Sequence, residues 1–233
     1  MENNKRFLTI IVILSVLLVG SLGYITYDKL SNKKDNTNEV KNDNKDNNTK
    51  ELTVSNAYNY HDYKEAENPC GTMASGSIDI ILPKINSDKP NAKKLNEKIF
   101  KDFDRYIEIS KKEKTNTFAN IYYNYLIKDN YLYINVRGGS GSICASGSTI
   151  RYNYYYDIKN DKILKSKEAL TALGYTEEDI FNLNKNDNNY TQEEIKKWST
   201  FEDCDLNNEG GCGCGVEITN NNEFELYNNL QCS

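Results

Sequence analysis

Residues 7–27, FLTIIVILSVLLVGSLGYITY, run for twenty-one positions without a charge. An apolar helix needs about 20 residues at ~1.5 Å rise each to cross a ~30 Å hydrocarbon core, and this run meets that length. Lys5 and Arg6 precede it and no comparable basic cluster follows at once. The positive-inside bias therefore keeps residues 1–6 in the cytoplasm and sends everything after Tyr27 outside. The expectation is a single-pass protein of the cell membrane, held through residues 7–27, with its C-terminal part extracellular. A cleaved signal peptide shares the basic start and apolar middle. Against cleavage stand a run longer than the usual signal core of ~7–15 residues, the lack of an A-x-A-like site, and Tyr24 and Tyr27 placed as interfacial anchors. Both readings leave the remainder outside the cell.

That compartment decides how the cysteines are read. All six, Cys70, Cys144, Cys204, Cys212, Cys214 and Cys232, follow the apolar run. An even number on the oxidising side of a membrane points to disulfides, although six cysteines allow about 15 pairings. Cys70 and Cys144 sit in similar small-residue segments, CGTMASGS and CASGS, each leading into a strand, and form the candidate pair. The other four surround GGCGCG, where a Cys-x-Cys pair closes on itself only with strain, so each of Cys212 and Cys214 is expected to take an outer partner. A four-thiolate zinc site is the alternative, but C-x-C with two distant cysteines lacks the paired C-x₂₋₄-C knuckles of a ribbon. No metal and no cofactor is implied.

Charge and composition remove further classes. The net charge of −5 lacks the basic footprint that nucleic-acid binding needs. A single histidine, His61, leaves Ser-His-Asp chemistry and multi-histidine metal centres without their parts. With 18 tyrosines against 7 phenylalanines and 1 tryptophan, the core must lean on tyrosine, so a tyrosine-rich sheet is not by itself a sugar site.

Residues 31–50, SNKKDNTNEVKNDNKDNNTK, cannot bury enough apolar surface to offset ordering and read as a polar tether. A first strand through LTVSNAYNY is ambiguous, and SIDIIL reads as an alternating strand ended by Pro83. A helix follows, with Ser87 or Asp88 as cap, Pro90 in its first turn, and Leu95, Ile99, Phe103, Tyr106 and Ile107 on one face. Residues 117–127 and 131–137 form a hairpin around Asp129-Asn130. Residues 138–148, GGSGSICASGS, read as a mobile glycine-rich loop. The loop lacks G-K-[ST] and fails G-x-S-x-G, so it is neither a phosphate cradle nor a nucleophile elbow. Loops on rigid sheets often carry binding function, which makes Gly138, Gly139, Ser140, Ser142 and Ser146 the candidate ligand contacts. Tyr152 and Tyr154 on the next strand, IRYNYYYDI, join them. Three short helices come next: one from Ser166 to a stop at Gly174, one begun by Thr176, and one opened by Thr191 with Glu194 as a capping box. Asp203, Asp205 and Asn207 imitate an EF-hand, but the pattern fails at Asn208 and Cys214. Residues 216–230 suit a last hairpin around Asn220–Asn222.

Taken together, SIDIILPKI, a helix with KLNEKIF, a hairpin, a glycine-rich loop and YNYYYDIKNDKILKSKEAL resemble the paired DUF4163 and DUF3298 domains outside many Gram-positive bacterial membranes. The resemblance covers residues 77–181. It implies an extracellular module of the kind found in the lysozyme-sensing anti-sigma factor for sigma V and ahead of the catalytic domain of some peptidoglycan deacetylases. Family members often carry a G-G-A-H-type loop, and here Gly138-Gly139 is followed by a cysteine-bearing insertion without histidine. With six residues before the apolar run, neither a sigma-factor-binding domain ahead of it nor a deacetylase domain after the module is expected.

The expected class is α+β, a small antiparallel sheet with packed helices. The expected order is a cytoplasmic head at 1–6, a transmembrane helix at 7–27, a linker at 28–52, the module at 53–200 and a Cys-rich tail at 201–233. The expected role is non-catalytic binding or sensing of a cell-wall polymer or a secreted protein such as lysozyme. A hydrolase using Asp157 or Glu168 and a passive structural protein are the alternatives, since acid–base carboxylates work when held ~5–9 Å apart.

Overall fold

The computed structural model describes residues 52–70, 73–205, 208–209 and 213–230. The apolar run at 7–27, the tether at 31–50, Cys212 and Cys232 lie outside the described residues. Among those described, no helix is long and apolar enough to cross a membrane.

The fold is mixed α+β. Its centre is a sheet in the order β1 (Thr53–Cys70), β2 (Met73–Asn86), β3 (Thr117–Lys128), β4 (Tyr131–Ser142), β5 (Gly147–Asp157) and β6 (Lys162–Leu164), with β7 (Asn208–Glu209) also paired to β5. All pairings are antiparallel except β2 with β3. A parallel pair needs a crossover. Two helices between those strands supply it, α1 (Pro90–Asp102) and α2 (Asp104–Ser110).

Alternation along the strands produces two cores. Ile78, Ile80, Leu82, Ile121, Ile134, Val136, Ile150 and Tyr156 face one way and pack under Leu95, Ile99, Phe103 and Tyr106 of the first two helices. Full burial of each such side chain is worth about 1.5–3 kcal/mol. The opposite face presents Leu126, Tyr133 and Tyr155 to a second layer. That layer comprises α3 (Ser166–Ala172), α4 (Glu177–Asn184), α5 (Gln192–Lys197) and a two-stranded hairpin, β8 (Gly213–Ile218) and β9 (Phe224–Asn229). Residues from 201 onward, expected as a tail, thus supply Cys204, Cys214, Val216 and Ile218 to a core.

Several local expectations are corrected. Pro83 does not end its strand: it pairs with Asn56 where the β1–β2 register shifts before Tyr58, so its missing N–H falls at an irregularity of the ladder. The expected single helix is two, divided at Phe103, whose fully buried ring and φ of −111° mark the break. Pro90 at the first helical position makes Lys89 the cap residue, and the Ser87 hydroxyl accepts from the Lys89 amide at 3.3 Å. Thr176 and Thr191 cap α4 and α5 through reciprocal bonds with Asp179 and Glu194.

Residues 138–148 are the largest correction. They are not a loop but the end of β4, a four-residue turn and the start of β5. Gly138 to Gly141 pair with Ile121 to Phe118 on one side and with Ile150 to Gly147 on the other. Glycine and serine carry no periodic signal that would mark these as strand positions.

Candidate ligand-binding face

The residues expected to contact a ligand do not converge on one surface. Ser140 is 6% exposed, and its hydroxyl shares a 2.8 Å hydrogen bond with the Tyr106 hydroxyl beneath α2. Tyr152 packs on Phe103 with ring centroids 4.8 Å apart. Tyr154 is buried and donates to Asp102 at 2.9 Å, while burial and that carboxylate push its own hydroxyl well above its ordinary range. Ser142 accepts from the Cys144 amide at 3.3 Å, and Ser146 is exposed at the turn. Gly138 and Gly139 lie inside the ladder. Tyr152 and Tyr154 therefore serve the core under the first two helices, and the sheet's other face offers the more accessible chemistry.

On that other face the covering layer stops partway along the strands. Leu126, Tyr133 and Tyr155 lie under it, then Asn135 and Asn153 at its border. The next row is Tyr122, Arg137 and Arg151, paired directly across β3, β4 and β5. Tyr122 is 41% exposed, and the Arg137 side chain retains 24% exposure. The Arg137 guanidinium lies 5.3 Å from the Tyr122 ring centre and forms an ion pair with Glu217 of β8. Arg151 rests over the ring of Tyr227 on β9 at 5.0 Å. Sheet residues thus meet hairpin residues around two adjacent guanidinium groups.

Asn135 holds the hairpin in that position. Its side chain acts as a length of strand, donating to the Val216 carbonyl at 2.8 Å and accepting from the Ile218 amide at 2.7 Å. It also donates to Asn153 at 2.7 Å, and Asn153 donates to the Tyr227 hydroxyl at 2.6 Å. Burial raises the Tyr227 hydroxyl above its ordinary range, opposed by the Asn153 bond and the Arg151 charge. Asn135→Leu would leave a buried carbonyl and a buried amide of β8 without partners. Each such orphan costs about 1–3 kcal/mol, so a loss of about 3 kcal/mol is expected in urea denaturation. Faster hydrogen exchange at the Ile218 amide would localise that loss to the hairpin.

The remaining candidates are engaged locally. Asp157 accepts from the Asn160 backbone and side chain at 2.9 and 2.7 Å, forming a turn. Glu168 is ion-paired with Lys162 and accepts from the Lys165 amide at 3.1 Å, contacts that hold its carboxyl below the usual range. His61 pairs with Asp79 across β1 and β2 and lies edge-on to the exposed Tyr63. Cys70 is bonded to Cys144, and Cys204 to Cys214, which removes two of the four thiolates a zinc site would require. Asp203 and Asp205 are engaged separately: the first accepts from the Thr200 amide and hydroxyl, and the second accepts from the Ser166 amide. Among the described residues, no group of three or more His, Cys, Asp or Glu side chains gathers as a metal site. A cleft of about 360 Å³ lies between the β3–β4 turn and the hairpin, lined by Leu126, Lys128, Tyr175 and Phe224.

Sequence reasoning missed Tyr122, Arg137, Arg151 and Tyr227. One signal was available: the chain is rich in lysine and has only four arginines, two of them on neighbouring strands at odd-numbered positions.

What these observations define is an α+β sheet domain with one face under helices and the other partly open. Solved structures similar to it include a DUF3298 family protein from Pseudomonas aeruginosa PAO1, at 14% identity and a TM-score of 0.36, covering 72% of this chain and 78% of that one. A DUF3298 family member from Bacteroides fragilis NCTC 9343 is similar at 14% identity and a TM-score of 0.32, covering 63% and 73% respectively. No protein-family model and no curated protein matches the chain.

Proposed function

We propose that this chain is a non-catalytic binding module, anchored by residues 7–27 outside the cell membrane and directed at the cell wall. The observation that carries the reading is the row Tyr122–Arg137–Arg151, ending on Tyr227, at the border where the β8–β9 hairpin meets the exposed Tyr122 end of the sheet. Aromatic rings and arginines are the side chains most enriched where proteins bind partners. The two disulfides support an oxidising compartment, as the uncharged run before the domain does. The local engagement of Asp157 and Glu168 favours binding over hydrolysis.

The test is co-sedimentation of the full chain, in detergent micelles, with purified insoluble peptidoglycan. Saturable pelleting is the expected result. Absence of pelleting across the accessible protein concentrations would overturn the wall-binding reading. Capture on immobilised lysozyme without pelleting would replace the polymer by a secreted protein as ligand.

A further inference from the structure

Taking the open row as the binding face, we infer that Arg151, assisted by Arg137, recognises a carboxylate of a wall glycopeptide. The two arginines are direct cross-strand partners. Like charges placed opposite each other on a sheet repel, so such a pair calls for a compensating anion. Glu217 supplies one to Arg137. Asn124, with its amide oriented to satisfy both ends, adds an acceptor for Arg137 Nη2 at 3.0 Å. Arg137 Nε remains buried without a hydrogen-bond partner. Arg151 has no carboxylate partner among the described residues, and its contact is the Tyr227 ring. A ring attracts the cation's charge but offers no acceptor for its N–H groups, so the guanidinium is held in place with its fork of donors uncommitted.

An arginine fork is built for planar, two-oxygen acceptors and binds them in bidentate fashion. A carboxylate placed there would neutralise the charge that Glu217 leaves uncompensated. Phosphate of a single-stranded nucleic acid would also suit a guanidinium, but the chain's net charge of −5 opposes a polyanion with one charge per residue. One carboxylate on an otherwise neutral glycopeptide meets no such opposition.

The probe is muramyl dipeptide, compared by calorimetry as its free carboxylate and as the corresponding amide, using the full chain in detergent. A charge-assisted hydrogen bond makes the free acid about tenfold to hundredfold the tighter ligand. Arg151→Gln should erase that preference, whereas Arg151→Lys, which keeps the charge without the fork, should retain part of it. Glu217→Gln should strengthen binding of the acid by freeing Arg137. A thermal melt of each variant establishes that it is folded. Equal affinity for acid and amide, or a preference unchanged in Arg151→Gln, would overturn the inference. So would tighter binding of a uridylate oligomer, which would point to nucleic acid. Pelleting with peptidoglycan separates the two levels: pelleting without carboxylate preference sinks this inference alone, and preference without pelleting sinks the wall reading alone.

Discussion

Replacing Gly138 by alanine is expected to destabilise the domain by about 3–5 kcal/mol, as overpacking does where the neighbouring group cannot yield. A Cβ at this position would lie 1.7 Å from the Asn120 carbonyl oxygen, 2.8 Å from its carbon and 3.0 Å from Ile121 Cα. All three atoms are backbone, so no rotamer change relieves the contact. Gly138 pairs with Ile121 on one side and Ile150 on the other, both fully or nearly fully buried. Moving β3 by more than an ångström would open the ladder at the centre of the sheet and disturb Ala119 and Ile121 beneath the helices. Gly139 provides the control. A Cβ there would meet only the Ser148 carbonyl oxygen at 3.7 Å, an ordinary contact, and alanine should change stability by no more than about 0.5–1 kcal/mol. Urea midpoints of the two variants under oxidising conditions make the comparison. Equal midpoints would show that β3 and β4 do not approach as closely as described.

The glycine-rich run also shows where sequence reasoning reached its limit. Thr176 at a helix start, Thr191 with Glu194, and Asp129 at a tight turn were legible because each signal is complete within a few neighbouring residues. The alternation of SIDIIL likewise marked a strand, and Gly174, with φ of 87°, marked a helix end. GGSGS has no such local code. Its strand character comes from Asn120, Ile121 and Ile150, which flank it only after the chain has folded. Pro83 misled for a related reason: the register shift that accommodates it is a property of the β1–β2 pair.

The candidate face was still less legible. Four residues from four strands meet through two registers and a hairpin docked by Asn135. Nearness to the glycine-rich run drew attention to Tyr152 and Tyr154, but even-numbered positions on β5 point beneath the helices, and Arg151 and Asn153 take the opposite face. Which side is covered depends on residues 166–230, whose packing no pattern within β5 could announce.

Removing the Cys70–Cys144 bridge is expected to cost about 4.5 kcal/mol, against about 3 kcal/mol for Cys204–Cys214, from the loop-closure entropy each restores to the unfolded chain. The bridges span sequence separations of 74 and 10 residues. The first also has a mechanical role. It ties the end of β1, an edge strand, to the turn between β4 and β5, with the two cysteine Cα atoms 5.7 Å apart. Backbone bonds reinforce the same corner: the Thr115 amide donates to the Glu65 carbonyl at 2.9 Å, and the Asn68 amide to the Asn116 side chain at 2.9 Å. These bonds oppose local fraying, so the double Cys→Ala variant should lose stability mainly through its less constrained unfolded state. Its urea midpoint should fall with little change in native hydrogen exchange along residues 53–65. Rapid exchange there would instead show that the bridge holds the corner in the folded state. A loss of less than about 1 kcal/mol would contradict the entropic account. A domain stable by about 5–15 kcal/mol cannot lightly surrender 4.5. The magnitude of this loss therefore also measures how strongly the fold depends on an oxidising environment.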